Sequence, residues 1–345
     1  MNRNTYSYSY DDVYLIPQYS EISSRSSVDT TTQLGDFHLR TPVMSANMDT
    51  ITGTEMAVSM FKSGGVGALH RFMSINENLE DYNIVRVSGA DCFVSVGVND
   101  HSRLRFDSLY SSGARHFVVD IAHGHSEMMK KMLKWIKTNY TDTFVIAGNV
   151  ATPQAVFDLN DWGADSIKVG ISNGSCCSTN IITGHGVPQF TAVLDCSYAA
   201  DQCGTHIIAD GGIKTSGDIV KALTAGADLV MIGSLLSGTD ETPGKFIETS
   251  AGKVKEYRGM ASSAAMSNRP DKNKLFTPAA EGVKTLVSAK GSAIDIVNDL
   301  TKGLKSGMSY CNAFNISDIN IKAKWGIRTM SGLNDGKPHI LGSTV

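Results

Sequence analysis

Short apolar runs alternate along the chain with longer stretches whose apolar positions recur every three to four residues. The first kind reads as strands and the second as amphipathic helices. Strands are expected at 42–46, 66–69, 92–96, 116–120, 144–147, 166–169, 206–209 and 229–232. Helical patterns fall between them, at 55–62, 127–138, 153–162, 189–202 and 216–224. Most of the strand runs are apolar at every position, as in a parallel sheet covered on both faces. Eight strands alternating with helices predict an α/β fold, a closed (β/α)8 barrel. A doubly wound open sheet is the alternative. Its first turn usually has the spacing G-x-G-x-x-G, which is missing after the first run.

Barrel chemistry sits on the loops that follow the strands. Polar residues gather there: Asn47 and Asp49, His70 and Arg71, Asp120 with His123 and His125, Asn149, Ser175 to Thr179, Asp210 to Gly212, and Gly233-Ser234. The strands were placed without these residues, so the clustering supports the placement.

The pattern weakens over 239–290, which is rich in Gly, Pro, Lys, Ser and Asn. This span reads as an insertion after the eighth strand with a mobile flap at 266–278, since long loops in compact domains are usually functional or disordered. A helix at 292–305 resumes the barrel. From residue 322 to 345 the chain reads as a tail, an interface or a disordered segment. The whole is expected to be a single barrel domain.

Composition narrows the partners. Charged residues make up 19% and the net charge is −3, so nothing suggests a nucleic-acid or membrane-surface partner. No apolar run reaches the roughly 18 residues of a membrane span, and the polar, Tyr/Ser-rich start is unlike a signal peptide. Six scattered cysteines without C-x-x-C spacing suit reduced thiols in a cytoplasm.

The most informative segment is Gly170-Ile171-Ser172-Asn173-Gly174-Ser175-Cys176-Cys177-Ser178-Thr179. Glycines at a strand end let a ligand approach the backbone, and a thiol held there is a candidate covalent nucleophile. Spacing alone leaves both Cys176 and Cys177 open, and a buried structural cysteine is the commoner case. Thr179 reads as a proton carrier or a turn residue. Asp210-Gly211-Gly212 and Gly233-Ser234, after the seventh and eighth strands, suit phosphate binding through backbone N–H groups. Asp210 itself suits a ribose hydroxyl. Asp120 reads as a hydrogen-bond acceptor for a ligand. His123 and His125 are too few for a metal centre. Glu281, judged by its neighbours, reads as a solvated loop acid.

Together these segments resemble the IMP dehydrogenase/GMP reductase family. The matches are Tyr10-Asp11-Asp12-Val13, Ala46-Asn47-Met48-Asp49-Thr50, His123-Gly124-His125-Ser126, Gly148-Asn149-Val150-Ala151-Thr152, 168–179, 183–189, 209–213, Gly233-Ser234, Tyr257-Arg258-Gly259-Met260 and Glu281-Gly282. They run in family order over nearly the whole chain. The resemblance implies a (β/α)8 barrel, a homotetramer, and a purine 5′-monophosphate substrate such as GMP or IMP. It assigns Cys177 as the nucleophile, whose thiolate forms a thioimidate at purine C2, with Thr179 and Glu281 beside it as catalytic groups. Ser175, Gly212, Gly233 and Ser234 would hold the phosphate and Asp210 the ribose. Met48, Met260 and Glu281 would hold the base, with Tyr257 and Gly259 also on the substrate. Asp120, His123, Ser126 and Asn149 would serve a nicotinamide cofactor. Potassium would sit on the backbone carbonyls of Gly170, Gly174 and Cys177.

The family has two branches, and the words of this chain divide between them. The span 266–281 is short and lacks the Arg-Tyr pair of the dehydrogenase flap, paired CBS modules are absent, and Asn47 is reductase-like. His123 to Ser126, 209–213, 257–260 and 306–311 look dehydrogenase-like. The flap bears on hydrolysis, so the expectation is a GMP reductase using NADPH, with a CBS-free IMP dehydrogenase using NAD as the alternative. Arg269 is the residue that keeps the alternative open. Ser172-Asn173 and Cys176 depart from the family's usual residues, as does Arg71, where reductases have lysine.

Overall fold

The computed structural model describes residues 6–267 and 279–338. Eight parallel strands close into a barrel: β1 Val43–Ser45, β2 Val66–Leu69, β3 Cys92–Val96, β4 His116–Asp120, β5 Phe144–Val150, β6 Ser166–Val169, β7 His206–Asp210 and β8 Leu229–Ile232. Closure is made by β8 on β1, with Val230 opposite Val43 and Ile232 opposite Ser45. The barrel thus replaces the open-sheet alternative. Every residue of β2, β3, β6 and β8 is buried, and β2 and β8 accordingly carry no polar side chain.

Helices cover the outside: α1 Thr54–Ser63, α2 Ile75–Val87, α3 Asp100–Ser111, α4 Glu127–Asn139, α5 Pro153–Trp162, α6 Gln189–Cys203, α7 Ser216–Thr224 and α8 Ala293–Tyr310. Local chemistry sets their ends. Ser74 and Glu77 form a capping box at α2, as Thr215 and Asp218 do at α7. Thr152 caps α5, and Pro153 occupies its first turn. Neither α2 nor α3 was expected from the hydrophobic pattern. The first buries only Asn78, Tyr82 and Val85, and the second buries Arg105 among apolar residues.

Residues 239–290 are more ordered than their composition suggests. Ile247–Thr249, Gly252–Arg258 and Lys284–Ser288 form an antiparallel sheet, with Tyr257 opposite Thr285 and Arg258 opposite Lys284. Lys255 ties the sheet to the first residues of the insertion. Its buried ammonium donates to the carbonyls of Thr239, Asp240 and Thr242 at 3.0, 3.0 and 2.7 Å. Most of the expected flap, including Arg269, lies outside the described residues.

The expected tail is also structured in part. Lys324–Ile327 pairs antiparallel with Val13–Ile16, and Arg328 donates from its backbone to Asp12 O and from Nε to Asp11 O. Among the described residues no helix is long and apolar enough to cross a membrane.

Candidate active site

A cavity of about 370 Å³ opens at the C-terminal end of the barrel strands. Its walls come from the segments after β1, β4, β5, β6 and β7 and from the inserted sheet. The volume suits a ligand pocket.

The segment after β6 begins at Gly170, which no other residue can replace without movement. Its φ is +153°, and a Cβ there would fall 1.9 Å from Asp210 O. Ser172 and Asn173 brace the loop. Ser172 Oγ accepts from Asn180 N at 2.9 Å, while Asn173 Nδ2 donates to Val187 O at 2.9 Å and Gln189 Oε1 at 2.6 Å. Of these two departures from the family's usual residues, Ser172 therefore holds the residue after Thr179 and Asn173 holds 187–189 against the loop.

The two cysteines separate by exposure. Cys176 is buried, and burial pushes its thiol pKa up. Cys177 is exposed and lines the cavity. Residues 281–283 pass between the cysteine turn and 259–261. Ser178 N donates to Glu281 O at 2.8 Å, Val283 N to Cys176 O at 2.9 Å and Glu281 N to Ala261 O at 3.0 Å. This threading brings Glu281 to the thiol. Cys177 Sγ donates to Thr179 Oγ1 at 3.1 Å, and Thr179 Oγ1 donates to Glu281 Oε2 at 2.8 Å. Glu281 is therefore a member of a hydrogen-bonded line, and the solvated-loop expectation for it is corrected.

On another wall Ser175 Oγ and Tyr257 OH are hydrogen-bonded at 2.9 Å. Burial, the largest influence, raises the Tyr257 pKa and keeps the phenol protonated. Met48, Gly259 and Met260 join this wall, and Asp49 N donates to Met260 Sδ at 3.3 Å. The wall is locked by Arg258, which pairs with Asp49 through Nη2 and bonds Glu256 Oε1 at 2.9 Å.

Opposite the thiol, Asp120, Asn149 and Asp210 surround Lys168, a residue that sequence reasoning did not single out. The Lys168 Nζ lies 2.8 Å from Asp120 Oδ1 and 2.7 Å from Asp210 Oδ2, and also donates to Asn149 Oδ1. Burial opposes the ammonium, but the two carboxylates outweigh it and raise the Lys168 pKa. Burial likewise opposes ionised Asp120, and Lys168 and Arg71 outweigh it, holding the carboxyl below its usual range. The signal was a lone lysine inside an apolar strand, Ser166-Ile167-Lys168-Val169.

Five expected residues stand outside the cavity lining. Gly233 borders it, since a Cβ there would meet Met48 Sδ at 3.3 Å and Tyr257 OH at 3.5 Å. Gly212 lies against the Tyr10 ring, and Ser234 O accepts from Lys290 Nζ at 2.7 Å. His123 is exposed, and Ser126 Oγ caps α4 by accepting from Met129 N. His125 pairs with Asp158 at 2.7 Å. Among the described residues no cluster of three or more His, Cys, Asp or Glu is placed to hold a metal.

Comparison with known proteins sharpens the picture. A family model described as the IMP dehydrogenase / GMP reductase domain matches residues 7–339. A GMP reductase from Streptococcus suis is 40% identical, with 90% of this chain and 92% of that protein aligned. An inosine-5′-monophosphate dehydrogenase from Nitrosopumilus maritimus is 33% identical, with 96% and 97% aligned. The solved structure of a cysteine-to-alanine variant of Trypanosoma brucei GMP reductase, in complex with guanosine 5′-monophosphate, superposes with a TM-score of 0.91. It shares 30% identity, and 99% of each chain is covered.

Proposed function

This chain belongs to the IMP dehydrogenase/GMP reductase family, an oxidoreductase family, and we propose that within it the protein is a GMP reductase. It converts GMP and NADPH to IMP, ammonia and NADP. The observation that carries this reading is the line Cys177–Thr179–Glu281. Removing the 2-amino group requires a nucleophile at C2 and a proton for the departing nitrogen. The line supplies both. As Sγ bonds to C2, the thiol proton passes through Thr179 Oγ1 to Glu281. The same path returns it to the amine, the C–N bond breaks, and ammonia leaves a thioimidate on Cys177. A nicotinamide cofactor, held on the Asp120 and Asn149 side, would supply the hydride that replaces sulfur at C2, and Cys177 leaves as the thiolate with release of IMP.

The surrounding residues take the remaining roles. Ser175, with Tyr257 behind it, and Gly212, Gly233 and Ser234 hold the phosphate. Asp210 holds the ribose. Met48, Gly259 and Met260 flank the base. Asp120 and Asn149 face the cofactor, with His123 and Ser126 farther out. Gly170, Gly174 and Cys177 offer carbonyls to potassium. Gly170 O accepts one bond from Asn149 Nδ2 and Gly174 O one from Cys177 N, and each keeps a second lone pair. A homotetramer and a cytoplasmic location complete the proposal. All six cysteines are free thiols, which suits that compartment.

The test is a paired assay. GMP with NADPH should consume reduced nicotinamide and release ammonia in equal amounts. IMP with NAD yielding XMP, and no reaction with GMP, would reassign the protein to the dehydrogenase branch. Relatives at similar identity come from both branches.

A further inference from the structure

Four successive strands, β4 to β7, each deliver one polar side chain to a common point: Asp120, Asn149, Lys168 and Asp210. Lys168 is 2% exposed. Its ammonium meets Asp120 Oδ1 at 2.8 Å and Asp210 Oδ2 at 2.7 Å. Asn149 completes a ring by accepting from Lys168 through Oδ1 and donating from Nδ2 to the same Asp210 oxygen at 3.0 Å. All four residues line the cavity that contains Cys177. One ammonium therefore serves two carboxylates from two different strands.

We propose that Lys168 is a positioning residue, a shared counter-ion whose two ion pairs hold the Asp120 and Asp210 carboxylates together, both turned into the cavity. A single side chain then sets the affinity for the nucleotide and for the nicotinamide cofactor together. The inference rests on the reading above, in which Asp210 takes the nucleotide ribose and Asp120 the cofactor side. Two carboxylates held this close by one ammonium repel each other once it is gone, and the pair turns apart. A carboxylate turned out of place no longer presents its acceptor oxygens to a ribose hydroxyl. Removal of the ammonium therefore weakens the hold on both ligands, although Lys168 need touch neither.

The experiment is calorimetric titration of GMP into cofactor-free protein, with steady-state KM for NADPH measured alongside. Lys168→Met should weaken GMP binding by about tenfold or more and raise the NADPH KM similarly, with a smaller change in kcat at saturation. Lys168→Arg should restore part of both. The deciding variant is Lys168→Met combined with Asp120→Asn, which deletes one carboxylate together with the ammonium. GMP affinity should return to within about threefold of the parent, while the NADPH KM stays high. A packing role predicts no such one-sided recovery. Parent-like affinities in Lys168→Met, or a double variant that binds GMP no better than the single, overturn the proposal. If Lys168→Met does not fold, the double variant decides by the same threefold criterion. Parent protein that binds no GMP at all would instead refute the functional reading.

Discussion

Replacing Glu281 by glutamine tests the proposed chemistry most directly. Thr179 Oγ1 donates to Glu281 Oε2 at 2.8 Å, and a glutamine oxygen can accept that bond with little change of shape. What it cannot do is take up and return a proton. Positioned acid–base groups contribute roughly 10²–10⁴ in rate, or about 3–5 kcal/mol of barrier. Glu281→Gln should therefore lower kcat for ammonia release by about 10²-fold or more, with the GMP KM moving less than about threefold. Ammonia and nicotinamide absorbance should be followed together, with GMP saturating. Stoichiometric alkylation of Cys177 would show that the variant keeps its site. If kcat stays within a few-fold of the parent, the carboxylate moves no proton in a slow step and the relay is wrong.

Three further outcomes are expected. Cys177→Ser should abolish turnover and any adduct seen by mass spectrometry, whereas Cys176→Ala, at a buried thiol, should retain turnover; the reverse pattern would reassign the nucleophile. His70 is buried, and burial lowers its pKa to about 4, consistent with its Nδ1 accepting from Phe72 N. The unfolded chain takes up that proton near pH 6.5, so stability is full above this pH and declines as pH falls toward 4, by about 2 kcal/mol at pH 5. Urea melts at several pH values should show this slope flattened in His70→Gln, and an unchanged slope would refute the assignment. Asp49→Asn should cost about 3 kcal/mol by leaving the largely buried Arg258 short of its partner. Adding Arg258→Met should recover part of that loss, and a double variant less stable than the single would contradict the pairing.

The barrel was legible because its strands are buried on both faces, so most show as largely apolar runs between polar ends. Five of the eight, β2, β3, β4, β6 and β8, match the expected bounds. The cysteine turn was legible for a different reason: Cys177 and Thr179 are local, two positions apart. Glu281 was not, because its partner Thr179 lies 102 residues away and its neighbours are ordinary loop residues. Lys168 escaped because a single charge within an apolar run does not reveal which strands flank it. The inserted sheet was hidden by exposure, as Ile247–Thr249 buries nothing and Lys284–Ser288 almost nothing. The strand at Lys324–Ile327 is only half-buried and finds its partner some three hundred residues back.

That last pairing ties the two ends of the chain into one mechanical unit. Tyr10 lies just before Val13–Ile16, with its carbonyl held by Lys221 Nζ and its ring against the Gly212 turn. A truncation within 324–327, or a bulky fusion that peels this edge away, would unseat the opening segment and through it the turn beside Asp210. With Asp210 in its proposed role at the ribose, modifications made far along the chain would then register as altered handling of the sugar.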